Sequence, residues 1–146
     1  MKRLLTLATI TLACAAAHAA PDEQVVQSVL RSTTGLTAEA VRQDYDACDS
    51  GVTARMRICG AYRLAQEDLR LNQAYGKLVE QVGKGGYATA LRQAQRAWIA
   101  YRDAQCPLEG RLGAGGGTAQ GLFVQTCMTA LTRQQADRLQ AALRTN

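Results

Sequence analysis

The sequence is poor in imidazole, in large aromatic side chains and in proline. Of 146 residues, one is histidine, one tryptophan and one phenylalanine, and two are proline. The histidine is His18, inside an N-terminal stretch that reads as a removable leader, so the remainder of the chain carries no imidazole. Its absence excludes the usual general base, the Ser-His and Cys-His pairs, and the commonest metal ligand. Runs of Lys and Arg are also missing, and the arginines alternate with Asp and Glu with little aromatic interleaving. Nucleic-acid binding is therefore not expected. Beyond the leader no apolar run approaches the length of a membrane span. The chain does not read as an enzyme, and no cofactor or metal is expected.

The leader itself, "MKRLLTLATITLACAAAHAA", has a basic start at Lys2 and Arg3, a short apolar run from Leu4, and a small-x-small triplet at Ala17-His18-Ala19. This is the pattern of a secretory signal peptide over residues 1–19, with cleavage after Ala19 and a periplasmic or secreted destination. The alternative is a lipoprotein anchored through Cys14, but Thr11 stands where such sites usually carry Leu. The formal charge is +5, and losing Lys2 and Arg3 leaves a mildly basic chain of about +3.

Export changes the meaning of the cysteines, because an oxidising compartment favours disulfides over thiols or zinc. Five are present. Cys14 leaves with the leader, while Cys48, Cys59, Cys106 and Cys127 remain, an even set. None of the four forms the tight knuckle from which a zinc site takes two ligands.

Residues 20–47 read as a short helical segment that opens with "PDEQVVQSVLR", with Val25, Val26, Val29 and Leu30 on one face. A helical domain is expected over 48–146. Thr53 is a plausible cap for a brief turn that delivers Cys59. Tyr62, Ala65, Leu69, Asn72, Tyr75 and Val79 then recur at helical spacing until Gly83, Gly85 and Gly86. Leu91, Ala94, Trp98 and Tyr101 resume the period as far as Cys106, where Pro107 discourages continuation. The glycine-rich stretch "GRLGAGGGTAQG" is expected to be irregular. It lacks the preceding strand and the Lys-Ser/Thr ending of a phosphate cradle. Val124, Cys127, Met128, Leu131, Leu139 and Leu143 mark a last long helix.

The predicted fold is all-α, a small disulfide-stapled domain built on an antiparallel helical hairpin plus a third long helix. Four cysteines allow three pairings. In a hairpin turning near Gly85, Cys59 and Cys106 fall at the same open end, so Cys59–Cys106 is the expected pair, leaving Cys48 with Cys127. Asp68 is expected to meet an arginine of the facing helix rather than a second catalytic acid. Asn72 is expected as a satisfied buried polar group, and Trp98 and Tyr101 as core.

The order Cys48-x10-Cys59, "AQEDLRLNQAY", "LRQAQRAWIAYRDAQC", a glycine-rich stretch and "CMTALTRQQADRL" resembles the LprI-like lysozyme inhibitor family. The matching residues are Cys48, Cys59, Asp68, Leu69, Asn72, Tyr75, Gln95, Trp98, Arg102, Asp103, Cys106, Cys127 and Leu139; the chain departs from the family pattern at Gln135, where an Arg is usual. The resemblance implies a small disulfide-bonded helical domain of the bacterial envelope, with lysozyme inhibition as the activity of the member that names the family. The shared residues are of scaffold type, so the motif does not locate an inhibitory surface.

A lysozyme cleft works with two carboxyl groups, and a rigid loop carrying cations or hydroxyls can engage them. Two segments qualify by composition: "GKGGY", with Lys84 and Tyr87, and "EGRLGAGGG", with Arg111. A basic lysozyme gains no long-range attraction from a basic chain. The sequence thus supports a protein partner, with a lysozyme first. The alternative is a non-inhibitory periplasmic or cell-wall-associated interaction module.

Overall fold

The computed structural model describes Gln27, Arg31, Gly35, Thr37 and residues 51–145. The expected leader, Cys14, Cys48 and nearly all of 20–47 lie outside the described residues; Gln27 and Arg31, within the expected N-terminal helix, are helical. Three long helices follow: α1 over Thr53–Val82, α2 over Gly86–Ala114 and α3 over Gln120–Thr145. The described residues contain no strand, and the fold is all-α.

α1 starts earlier than the sequence suggests, because "TARMRIC" has no breaker and Gly60 is accommodated within a single helix of 30 residues. Gly83 ends it at φ 64° and Gly85 follows at φ 118°. Both values lie in the region that a Cβ disfavours, so glycine makes this reversal possible without strain.

Directions follow from which residues meet. Arg57 lies against Gly121 and Gly60 against Gln125, while Glu67 meets Arg133 and Arg70 meets Asp137 further along. Both numbers rise together, so α1 and α3 are parallel. Gly110 lies against Val124, Cys106 is bonded to Cys127 and Gln95 meets Gln135, so α2 runs antiparallel to α3. α3 is the element on which both others pack, and α1 and α2 touch each other little.

That arrangement overturns the predicted disulfide pairing. The bond joins Cys106 to Cys127, with a Cα–Cα distance of 5.4 Å, in place of Cys59–Cys106 and Cys48–Cys127. The prediction assumed that α1 and α2 share a tight interface, whereas α3 is packed along α2 and supplies the nearest thiol. Cys59 is also disulfide-bonded, to a partner outside the described residues.

The glycine-rich stretch is corrected too. α2 continues through Pro107 to Ala114, although proline removes one helical hydrogen bond, a loss of about 3 kcal/mol in an ordinary helix interior. Close packing offsets it: Gly110 is buried beneath Val124 and beside the Gln120 carbonyl, and Gly113 faces the Phe123 ring. These glycines let α2 and α3 approach closely beside the Cys106–Cys127 bond. Only Gly115 to Ala119 make the turn, and the Gly115 N–H closes α2 by donating to the Arg111 carbonyl at 3.0 Å.

Among the described residues two apolar clusters form the core. Tyr62 and Ala65 make the smaller, flanked by Ile58, Ala61 and Leu69. Leu71, Ala74, Leu78, Ala136 and Leu139 make the larger, against which Tyr75, Leu91 and Trp98 pack. Leu71, Ala74 and Leu78 replace the expected track through Asn72 and Val79, and Asn72 is exposed. The α1 sequence carries apolar residues in adjacent tracks, and the position of α3 selects between them.

Candidate functional site

Three of the motif residues, Asp68, Trp98 and Asp103, converge on a fourth, Arg102, whose side chain is only 17% exposed. Its guanidinium lies 5.1 Å from the centroid of the Trp98 ring. Nη1 donates to Asp68 Oδ1 on α1 at 3.3 Å and to Thr132 Oγ1 on α3 at 3.2 Å, and Nε donates to Asp103 Oδ1 at 2.9 Å. A planar, permanently charged fork suits a position that must face several acceptors at once. Asp68 thus meets an arginine of α2. Burial pushes its carboxyl pKa above the ordinary 3.8, Arg102 opposes that shift, and Asp103 adds to it. Trp98 is half-buried at the margin of the larger core, while Tyr101, expected inside, is 53% exposed. The reason is again α3: α2 turns Gln95, Cys106 and Gly110 inward towards it, leaving Tyr101 on the opposite face.

Of the remaining motif residues, Asn72 is exposed and four others pack or bond within the fold. Leu69 and Tyr75 are half-buried against the two clusters. Gln95 is buried, and its Oε1 accepts from Gln135 Nε2 at 3.2 Å. Through Gln135 a neutral amide pair joins α2 to α3.

A second polar network was not legible in the sequence. Glu67 is buried and accepts from Arg70 Nη1 at 2.6 Å and from Arg133 Nε at 2.8 Å. Arg70 Nη2 also donates to Asp137 Oδ1 at 2.7 Å. The i, i+3 spacing of Glu67 and Arg70 was visible as a helical pair, but its closure by Arg133 and Asp137 needs the parallel register of α1 and α3. Beside it lies a shallow groove of about 230 Å³, lined by Gly60, Arg63, Gln125, Thr129 and Arg133 among others. Gln125 Oε1 is buried there without a hydrogen-bond partner among the described residues. The acids closest to the groove are engaged by arginines, and no group of three His, Cys, Asp or Glu among the described residues is placed to hold a metal ion.

The two segments expected to carry a binding contact sit at opposite ends of α2. Gly83 to Tyr87 are all exposed, with Tyr87 at 83%, so Lys84 and Tyr87 project from the tip where α1 turns into α2. Arg111, expected in a loop, is instead an exposed residue of the last turn of α2. At 1.5 Å per residue the helix separates Tyr87 from Arg111 by roughly 36 Å. One narrow cleft cannot receive both from a single copy.

Comparison with known proteins matches residues 45–139 to the family model described as "Lysozyme inhibitor LprI". An uncharacterized protein of Rhizobium meliloti is 35% identical over 99 residues, which is 66% of this chain and 64% of that protein. The chain thus spans less than two thirds of that relative's length. No solved structure matches.

Proposed function

Because the chain belongs to the LprI lysozyme inhibitor family through residues 45–139, we propose that it is an exported binding protein that inhibits a lysozyme-type muramidase by placing the Lys84–Tyr87 tip in the catalytic cleft. The observation that carries this reading is the tip itself. It puts an ammonium and a phenol, three residues apart and both exposed, where two long helices join. A muramidase cleft presents two carboxyl groups. The Lys84 ammonium suits one of them and the Tyr87 hydroxyl suits a carboxyl or carbonyl beside it. The Gly83–Gly85 reversal joins two long helices, so the tip is presented at the end of a helical scaffold. Export is supported by the leader pattern and by the disulfides. Among the described residues no helix is long and apolar enough to cross a membrane.

The test is a lysis assay of a peptidoglycan suspension with c-, g- and i-type lysozymes, titrated with the oxidised protein. Stoichiometric inhibition of one class is expected, with Lys84→Ala and Tyr87→Ala each weakening it at least tenfold at unchanged melting temperature. Arg111→Ala is expected to inhibit as the parent does. Loss of inhibition in Arg111→Ala alone would move the site to the other end of α2. Absence of inhibition in every class would refute the reading.

A further inference from the structure

α2 carries a second apolar face that no other element among the described residues covers. Gly86, Ala90, Ala94, Ala97, Tyr101, Ala104, Leu108 and Leu112 follow one another at steps of three and four and are all exposed. Tyr101, Leu108 and Leu112 are 53%, 51% and 77% exposed. No charged side chain interrupts this stripe, which lies away from Gln95, Cys106 and Gly110, the residues α2 buries against α3. Steps of three and four are those of a helix that packs lengthwise on another helix. A continuous exposed apolar stripe of this length marks an interaction surface rather than scattered surface residues.

We propose that the stripe pairs with the same stripe of a second copy, with the two α2 helices antiparallel about a two-fold axis. The size pattern carries the choice of partner. In a two-fold antiparallel register centred between Ala97 and Tyr101, Leu112 falls opposite Gly86, Leu108 opposite Ala90, Ala104 opposite Ala94 and Tyr101 opposite Ala97. Every large side chain meets glycine or alanine, and each contact occurs twice, as an isologous interface requires. A parallel pairing instead sets Tyr101 on Tyr101 and Leu108 on Leu108 and leaves the alanines facing one another across gaps. The exposed surface of the stripe is on the order of 600 Å² per copy, so a pair that covered it completely would bury about 1,200 Å², the lower bound of stable interfaces. The pairing does not depend on the inhibitor reading, and it is tested without any lysozyme.

Sedimentation velocity of the oxidised full chain from 1 to 100 µM (on the order of ordinary interface affinities) is expected to show a monomer–dimer equilibrium. Leu108→Lys and Tyr101→Glu are expected to shift it to monomer with helicity unchanged, because both side chains lie outside the core, and with a melting temperature equal to the parent's at concentrations where the parent is monomeric. The register is read from cysteine variants. A mixture of Ala94→Cys and Ala104→Cys proteins should cross-link on mild oxidation, and neither should do so alone. A chain monomeric at every concentration overturns the proposal, as does a dimer indifferent to Leu108→Lys. So does a monomer in which a cysteine at position 104 resists alkylation, the result expected if residues 1–50 of the same chain cover the face.

Discussion

At the scale of single residues, Arg102 is the side chain through which the three helices meet, and its removal has effects of known sign. Asp68 has a folded-state pKa raised above its ordinary value chiefly by burial, with Arg102 opposing the shift. A carboxyl raised in the folded state contributes stability that is fully present below its unfolded pKa and is lost as pH rises through the folded one. Arg102→Ala removes the opposing charge and hydrogen bond, so the Asp68 midpoint should move further up in an NMR titration of its carboxyl carbon. An unmoved or lowered midpoint would mean that the Arg102–Asp68 contact at 3.3 Å does not persist in solution. Trp98 gives a second residue-level expectation. Its ring is half-buried at the margin of the larger cluster, so Trp98→Ala should lower unfolding stability by about 2–4 kcal/mol in urea melts followed by circular dichroism, less than a fully enclosed indole would. The type and helical spacing of these residues were legible in the sequence, but which faced inward was not. Tyr101 and Asn72 fit the same helical period as Trp98 and Tyr75 and yet are exposed.

At the scale of elements, the junction of α2 and α3 shows how composition misleads. A stretch dense in glycine reads as irregular, yet Gly110 and Gly113 are helical and serve close approach. A methyl group at Gly110 would collide with the Val124 side chain and press on the Gln120 carbonyl. Backbone cannot move aside as a flexible side chain can, so Gly110→Ala should lower stability by about 1–3 kcal/mol, although alanine is the better helix former. A denaturation midpoint equal to or above the parent would show that the helices are further apart than described. Pro107 belongs to the same lesson. Its local preference is against continuation, and tertiary contacts on both sides of it prevail.

At the scale of the whole molecule, the Cys106–Cys127 bond closes a loop spanning 21 residues in sequence, which corresponds to about 3 kcal/mol in the chain-entropy account. The paired Cys106→Ala and Cys127→Ala variant should therefore melt well below the parent while keeping its helical circular dichroism below the transition. Loss of helix at low temperature as well would mean that the bond is needed for the close approach of α2 and α3, and not only to restrict the unfolded chain.

The sequence by itself determined the class of molecule: all-α, from apolar positions recurring at helical spacing and no alternating run; disulfide-stapled, from the even set Cys48, Cys59, Cys106 and Cys127; and without imidazole after His18. It also determined the family, since four cysteines in order with the Trp98, Arg102 and Asp103 segment form a specific pattern. Only the tertiary structure decided which thiols join, which face of α1 is inside, and that the two candidate binding segments lie at opposite ends of one helix. The physical reason is that helical period is a local property, read from neighbours three and four residues away. Disulfide partners, the Glu67–Arg133 pair and the Gly110–Val124 contact depend instead on where α3 lies. No residue of α1 or α2 specifies that position until the last helix packs along both.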